Sequence, residues 1–236
     1  REGVKRGIVA GRTRHLMAAL CLAASGGRAS AEPVHDGQLW INTTLFGSIG
    51  DAAFFAEVQP RFGTGISQID QLILRPAVGW KVDQTLTLYQ GYASVETHSA
   101  GNGVRTEDRS FQEVNWKIGE LSGVKAASRT RFEQRWQSSG RDVGFRLREQ
   151  LRFAMPLTEE KDSVSAIGWT ELFVALNDTD WGARAGFDRI RSFVGLELPI
   201  GGASTVEVGY LNQTARTTAS GVAVDHILSL NLFVRN

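Results

Sequence analysis

Cysteine is almost missing from this chain: the one residue of that kind among 236, Cys21, falls in a segment that the N-terminal pattern marks for removal. A disulfide framework, a thiolate metal site and a cysteine nucleophile are thereby excluded from the remainder. Histidine is scarce too. Beyond His15 only His35, His98 and His226 are left, at spacings that match no metal-ligand pattern. Long apolar runs are lacking, since the longest, Leu16 to Ala24, is about half of the roughly 20 residues that a membrane-spanning helix needs. Lysine is the last shortage: from residue 32 onward there are four Lys against sixteen Arg. Solvated surfaces use Lys freely, whereas Arg is preferred where a cation holds fixed, multidentate hydrogen bonds among packed neighbours.

The start of the chain has the layout of a cleavable secretory signal. Arg12, Arg14 and His15 precede the apolar run, and "SGGRASA" ends it with the small residues Ala29, Ser30 and Ala31. Cleavage is expected after Ala31, giving a signal peptide over 1–31 and a single domain over 32–236. Leu20, directly before Cys21, is not the small residue expected at a lipidation site. The leader takes six of the 26 basic residues and one of the 25 acidic ones, leaving 20 against 24. The remaining chain is therefore mildly acidic, and nothing recommends nucleic acid as a partner.

What the chain has in quantity is period two. In "RTRFEQRW", Arg129, Arg131, Glu133 and Arg135 fall on one side of a ribbon, while Phe132 and Trp136 fall on the other. "GFRLREQLRFAM" sets Arg146, Arg148, Gln150 and Arg152 against Phe145, Leu147, Leu151, Phe153 and Met155, with Glu149 alone on the apolar side. "FDRIRSFVGLEL" opposes Arg189, Arg191, Gly195 and Glu197 to Ile190, Val194, Leu196 and Leu198, with Ser192 and Phe193 running against the scheme. "QLILRPAVGW" places Gln71, Arg75 and Gly79 opposite Leu72, Leu74, Val78 and Trp80. Short turns such as "VDQ" and "LSG" alternate with longer polar connections such as "SSGRD" and "LNDTDWG", which predicts an up-and-down antiparallel sheet with two unlike rims.

About eleven ribbons are countable, starting near Leu39, Ala53, Gln68, Gln84, Arg105, Gly123, Asp142, Val164, Arg184, Ser204 and Ala223. Single-chain bacterial barrels have an even number of strands, so ten to twelve are expected and twelve is favoured. Pro60 and Pro76 fall inside ribbons, a placement that points to edges or bulges. Alternation alone fits a soluble lipocalin-like barrel, with the apolar face lining the cavity, as well as a membrane barrel with the charges inside, and three features favour the second. Many ribbons exceed the 9–11 residues of a tilted membrane strand. Arg is interleaved with Glu, as a self-neutralised interior requires. Trp80, Trp116, Trp136 and Tyr210 lie near ribbon ends or on the apolar face, where an interfacial girdle needs them. The fold expected is all-β: an antiparallel up-and-down transmembrane β-barrel.

"LRPAVGWKV", "TLYQGYA", "EDRSFQEV", "RTRFEQRW", "RLREQLRF", "WTELFVALN", "GFDRIRSFVGLEL" and "EVGYLNQ", in this order, resemble the domain-of-unknown-function 2490 family of bacterial outer-membrane proteins, over about Leu39 to Asn236. The resemblance implies an outer-membrane β-barrel of a diderm bacterium and carries no catalytic signature. One departure is the end of the chain. Phe233 is followed by Val234, Arg235 and Asn236, whereas a common outer-membrane pattern finishes on an aromatic residue.

The inward set is then Arg75, Glu113, Arg129, Arg131, Glu133, Arg135, Arg146, Arg148, Arg152, Glu171, Arg189, Arg191, Glu197 and Glu207. Two functions follow from it. The charges line a channel for small polar or anionic solutes, which is placed first, or they form a salt-bridge network that plugs the lumen and leaves a structural or interaction barrel. A third reading, in the enzyme class, is a lipid hydrolase using Ser94 and His98, four residues apart on one strand face; Ser229 and His226 fall on opposite faces. No residue is assigned a catalytic role: Glu171 reads as an ion-pair partner among arginines. "NDTD" at 177–180 lacks EF-hand spacing and reads as a polar loop, and "GTGISQ" and "GNGVRT" are turn sequences that lack a third glycine. No cofactor or metal is expected. The partners expected are outer-membrane lipids, lipopolysaccharide and the barrel-assembly machinery.

Overall fold

A computed structural model of the protein describes residues 34–63, 66, 68–99, 103–160, 163–217 and 221–236. The expected signal peptide and its cleavage point lie outside the described residues. Eleven strands follow in chain order: β1 (Val34–Ile49), β2 (Ala52–Phe62), β3 (Ile69–Lys81), β4 (Leu86–Ser99), β5 (Gly103–Leu121), β6 (Val124–Gln137), β7 (Gly144–Pro156), β8 (Ser165–Ala175), β9 (Gly186–Gly201), β10 (Ser204–Arg216) and β11 (Val222–Arg235). Ten of them begin within two residues of the expected starts, and β1 begins five residues before Leu39.

Each strand pairs antiparallel with its sequence neighbours, and β1 closes the barrel by pairing with β11 in parallel, from Val34↔Ala223 to Phe46↔Arg235. The count within the expected ten to twelve is eleven, not the favoured twelve. A parallel seam closes an odd number of strands, so closure needs no twelfth. On the outer surface the seam is latched by His35 Nδ1 against His226 Nε2 at 3.0 Å, and by the Tyr210 hydroxyl against His226 Nδ1 at 2.7 Å.

The period-two pattern becomes an inside and an outside. On β7, Gly144, Arg146, Arg148 and Ala154 are buried while Phe145, Leu147, Leu151, Phe153 and Met155 are exposed. Outward Val78 and Val194 are 68% and 64% exposed. This is the inverse of a water-soluble sheet, in which one face is apolar because it packs on a core. Phe193, which ran against the pattern in sequence, in fact obeys it. It is buried inside, where its ring covers the opposed pair Gly195 and Gly209, and a Cβ on either glycine would stand 2.7 or 2.6 Å from Phe193 Cζ. Ser192 points outward, with its hydroxyl 3.3 Å from that of Thr170.

Neither proline sits at an edge, for a closed barrel has none. Instead one of the two ladders beside each proline steps over it, while the β2–β3 ladder keeps Pro60↔Leu72 and Ala56↔Pro76. The β1–β2 pairing passes from Trp40↔Arg61 to Thr43↔Val58, skipping Pro60, and the β3–β4 pairing passes from Leu74↔Ser94 to Ala77↔Gly91, skipping Pro76. The missing N–H of each proline is thus absorbed in a local gap.

The two rims differ as expected. One carries tight turns, including Ser122–Gly123 with φ of 51° and 80°, the two positive values that a type I′ hairpin requires. The opposite rim carries the connections 138–143 and 176–185 and the start of β1, while β11 ends at the tight-turn rim.

Candidate functional site

On β6, Arg131, Glu133 and Arg135 are buried inside the barrel, and Arg129 is on the same face. Phe132 and Trp136 are on the outer face, where Phe132 stacks on Phe145 with centroids 6.0 Å apart. Strand pairing sets Glu113 opposite Arg131 and Arg146 opposite Glu133, so each carboxylate meets guanidinium groups from a neighbouring strand. Glu133 is 1% exposed. It accepts hydrogen bonds from Arg146 Nε and Nη2 at 2.8 and 2.5 Å and from Arg148 Nη1 at 2.7 Å, with Arg131 Nη1 at 3.9 Å. Arg148 reaches on to Glu171 at 2.7 Å, which also accepts from Arg129 at 3.0 Å and stands 4.0 Å from Arg191. Arg131 closes on Glu113, and Arg146 continues to Asp188 at 3.1 Å. One connected chain of charge thus crosses the interior from β5 to β9. Glu171 is an ion-pair partner of three arginines.

Smaller pairs flank this chain. Glu107 accepts from Arg109 at 2.8 Å and Arg135 at 2.5 Å, Glu57 pairs with Arg75, and Arg152 bridges Glu197 and Glu207 at 2.7 and 2.8 Å. Arg189 pairs with Asp188 at 3.3 Å. Every member of the inward set derived from sequence therefore has a charged partner inside the barrel. Glu57, Glu107, Arg109 and Asp188 belong to the network and were missed. Glu107 and Arg109 share a face with Glu113 at period two in "EDRSFQEV", and that signal was sufficient to find them.

Aromatic rings inside the barrel were also missed: the sequence pattern placed Trp80, Trp116, Trp136 and Tyr210 outside and gave Trp40, Phe111 and Phe173 no role. The face of Phe173 is approached by the guanidinium groups of Arg148, Arg191, Arg146 and Arg189 at 4.5, 4.8, 5.3 and 5.8 Å. Trp40 lies between Arg61 at 3.7 Å and Arg191 at 4.9 Å, and Phe111 lies under Arg131 at 4.4 Å. Such contacts hold cations that outnumber the nearby carboxylates without requiring one counter-ion apiece.

At the longer-loop rim, two connections lace together. Asp180 accepts from the backbone N–H of Arg141 at 2.9 Å and of Asp142 at 3.2 Å, and these bonds hold its carboxyl below the usual carboxylate range. Asp142 in turn accepts from Asp180 N–H at 2.8 Å, and Trp181 donates to the Asp142 carbonyl at 2.8 Å, with its ring 5.0 Å from the Arg135 guanidinium. The "NDTD" stretch spends its polar groups on loop structure: Asn177 accepts from Phe145 N–H at 2.7 Å and Asp178 from Ala185 N–H at 2.7 Å.

Below the charge network, towards the tight-turn rim, the lumen opens into a vestibule of about 390 Å³. Arg129, Arg131, Glu113 and Glu171 form part of its wall, and Lys117 and Thr85 stand near its mouth. Glu107, Arg109, Glu133, Arg135 and Arg146 are buried but do not line it.

Ser94 and His98 share the outer face of β4, but at about 3.3 Å per residue an extended strand keeps their Cα atoms roughly 13 Å apart. The acid beside His98 is Glu96, at 4.0 Å on the same strand. Ser229 is buried inside and His226 points out, as their spacing requires. Neither pair forms a nucleophile and base.

The family described as "Protein of unknown function (DUF2490)" matches residues 37–223. An uncharacterized protein of Methylorubrum extorquens is 78% identical over 223 residues, covering 94% of this chain and 98% of its own. No solved structure matches. With a family match across most of the barrel and a relative this similar, the chain belongs to the DUF2490 family.

Proposed function

We propose that the protein is an outer-membrane β-barrel whose lumen is closed by its arginine–carboxylate network, a structural or interaction barrel with a blind vestibule and not a diffusion channel. The observation that carries this reading is Glu133, which is 1% exposed and is hydrogen-bonded to Arg146 and Arg148, with Arg131 at 3.9 Å. A carboxylate lining a conducting path keeps water on one side. This one is enclosed by guanidinium groups, and the Trp181 loop lies over Arg135 on the far side. Membrane placement is supported by the exposed aliphatic outer face and by Trp80, Trp116, Trp136 and Tyr210, each 42–57% exposed on that face. In that setting the outer strands contact lipids and lipopolysaccharide, and insertion proceeds through the barrel-assembly machinery.

The test is planar-bilayer conductance of protein shown to be folded. The wild type is expected to be silent, and Arg148→Ala, which strips a partner from both Glu133 and Glu171, is expected to give discrete current steps. Reproducible steps from the wild type would return the network to the role of a selectivity lining.

A further inference from the structure

The vestibule has more cationic than anionic wall. Among its lining residues nine are Arg or Lys and five are Glu, and each of these glutamates except Glu57 is near more than one cation or shares one with another glutamate. A second observation points the same way. Among the described residues, the buried side-chain atoms with no hydrogen-bond partner are Arg129 Nε, Arg131 Nη1, Arg61 Nε, Asn42 Oδ1 and Thr44 Oγ1, and all five residues line the vestibule. Elsewhere in the lumen the described arginines spend their donors on carboxylates. Here Arg129 Nε and Arg61 Nε lack a hydrogen-bond partner and Arg131 Nη1 has only Glu133 at 3.9 Å, just behind the wall of a cavity whose charge is not balanced.

We infer that the vestibule binds a small oxyanion, a phosphate or carboxylate group, entering from the tight-turn rim past Lys117. Guanidinium N–H groups supply the planar, charge-assisted bonds that such oxygens accept. The cavity volume is at the lower end of the range for small-molecule sites. Low-dielectric walls focus the positive potential onto the cavity. Water alone would satisfy the donors but not the charge, which makes selectivity for anions the decisive property. The inference rests on the closed-lumen reading only for the site's being a dead end, and it is read out by a different measurement.

The experiment is isothermal titration of folded, detergent-solubilised full-length barrel with inorganic phosphate, with acetate, with dihexanoyl phosphatidate, and with tetramethylammonium as the cation control. Saturable binding of phosphate or acetate, with none of tetramethylammonium, is expected. Binding of the phosphatidate alone would support the same site with a lipid headgroup as the source. Arg129→Gln is expected to weaken binding at least tenfold. Lys117→Glu, at the mouth and outside the buried network, is expected to weaken it several-fold without affecting folding, and Arg184→Gln in the opposite rim's loop is expected to leave it unchanged. Absence of saturable binding by all three anions, or binding that is indifferent to both Arg129→Gln and Lys117→Glu, overturns the inference. Either result leaves the conductance test of the closed lumen standing by itself.

Discussion

Replacing Glu133 by Gln keeps the shape of the side chain and removes one negative charge from beneath three guanidinium groups. Glu133 accepts from Arg146 at 2.8 and 2.5 Å and from Arg148 at 2.7 Å. Removing one partner of a buried ion pair costs about 3–5 kcal/mol, chiefly because a desolvated charge is left uncompensated. Both arginines keep a second carboxylate, Asp188 for Arg146 at 3.1 Å and Glu171 for Arg148 at 2.7 Å, so the lower end of the range applies. A loss of about 3 kcal/mol is about two decades in the unfolding equilibrium. With a urea slope of about 3 kcal/mol/M, the midpoint falls by about 1 M. The assay is equilibrium urea unfolding in detergent micelles, followed by tryptophan fluorescence and by the folded-band shift on unheated gels. The double change Glu133→Gln with Arg146→Met is expected to recover at least half of the loss, since exchanging a buried ion pair for neutral, packed side chains is often close to neutral. If Glu133→Gln alone moves stability by no more than the roughly 0.5 kcal/mol of a surface change, Glu133 is hydrated and the closed-lumen argument fails with it.

Gly209→Ala places a Cβ 2.3 Å from the Val194 carbonyl oxygen and 2.6 Å from Phe193 Cζ; a loss of about 1–3 kcal/mol in the same urea titration is expected from this overpacking. Asp178 and Asp180 both have carboxyls held below their ordinary range, mainly by backbone N–H groups. The stabilisation they give the loops is therefore complete above the unfolded-state value near 3.9 and is lost as pH falls through the lower folded-state values. Amide exchange at Arg141, Asp142 and Ala185 should be flat from pH 7 to about 5, after correction for intrinsic exchange, and should accelerate only below about 4; onset near neutrality would contradict that assignment.

Much of the barrel is legible in sequence because a strand's period of two is local. "GFRLREQLRFAM" needs nothing outside itself to state which residues share a face. What period two leaves open is which residues meet across a ladder, for that depends on register. Glu113 and Arg131 lie eighteen residues apart and become partners only through the β5–β6 pairing. Phe193 looked like an error in the pattern because its justification lies in Gly195 and Gly209, the second of these on the next strand. Phe173 shares the face of Glu171 at period two, but the four cations around it come from β7 and β9 and are set by register. The count of eleven lies within the expected ten to twelve, and only the preference for twelve rested on a rule about parity. The observed ribbons already numbered eleven, and the expectation of evenness added one that a parallel seam makes unnecessary.

That seam also fixes what rearrangements the chain tolerates. In an even-stranded barrel the first and last strands meet at the same rim, and a short loop joins them, so the circle of strands can be reopened at any turn. Here the start of β1 and the end of β11 face opposite openings, separated by the barrel's height, about 35 Å for a 14-residue strand tilted by roughly 40°. A linker joining them would have to thread the interior past Glu133 and its arginines or run the barrel's height along the apolar outer wall. The odd strand makes the order of the hairpins a property the protein cannot exchange, and a label before β1 and one after β11 would mark opposite openings of the barrel.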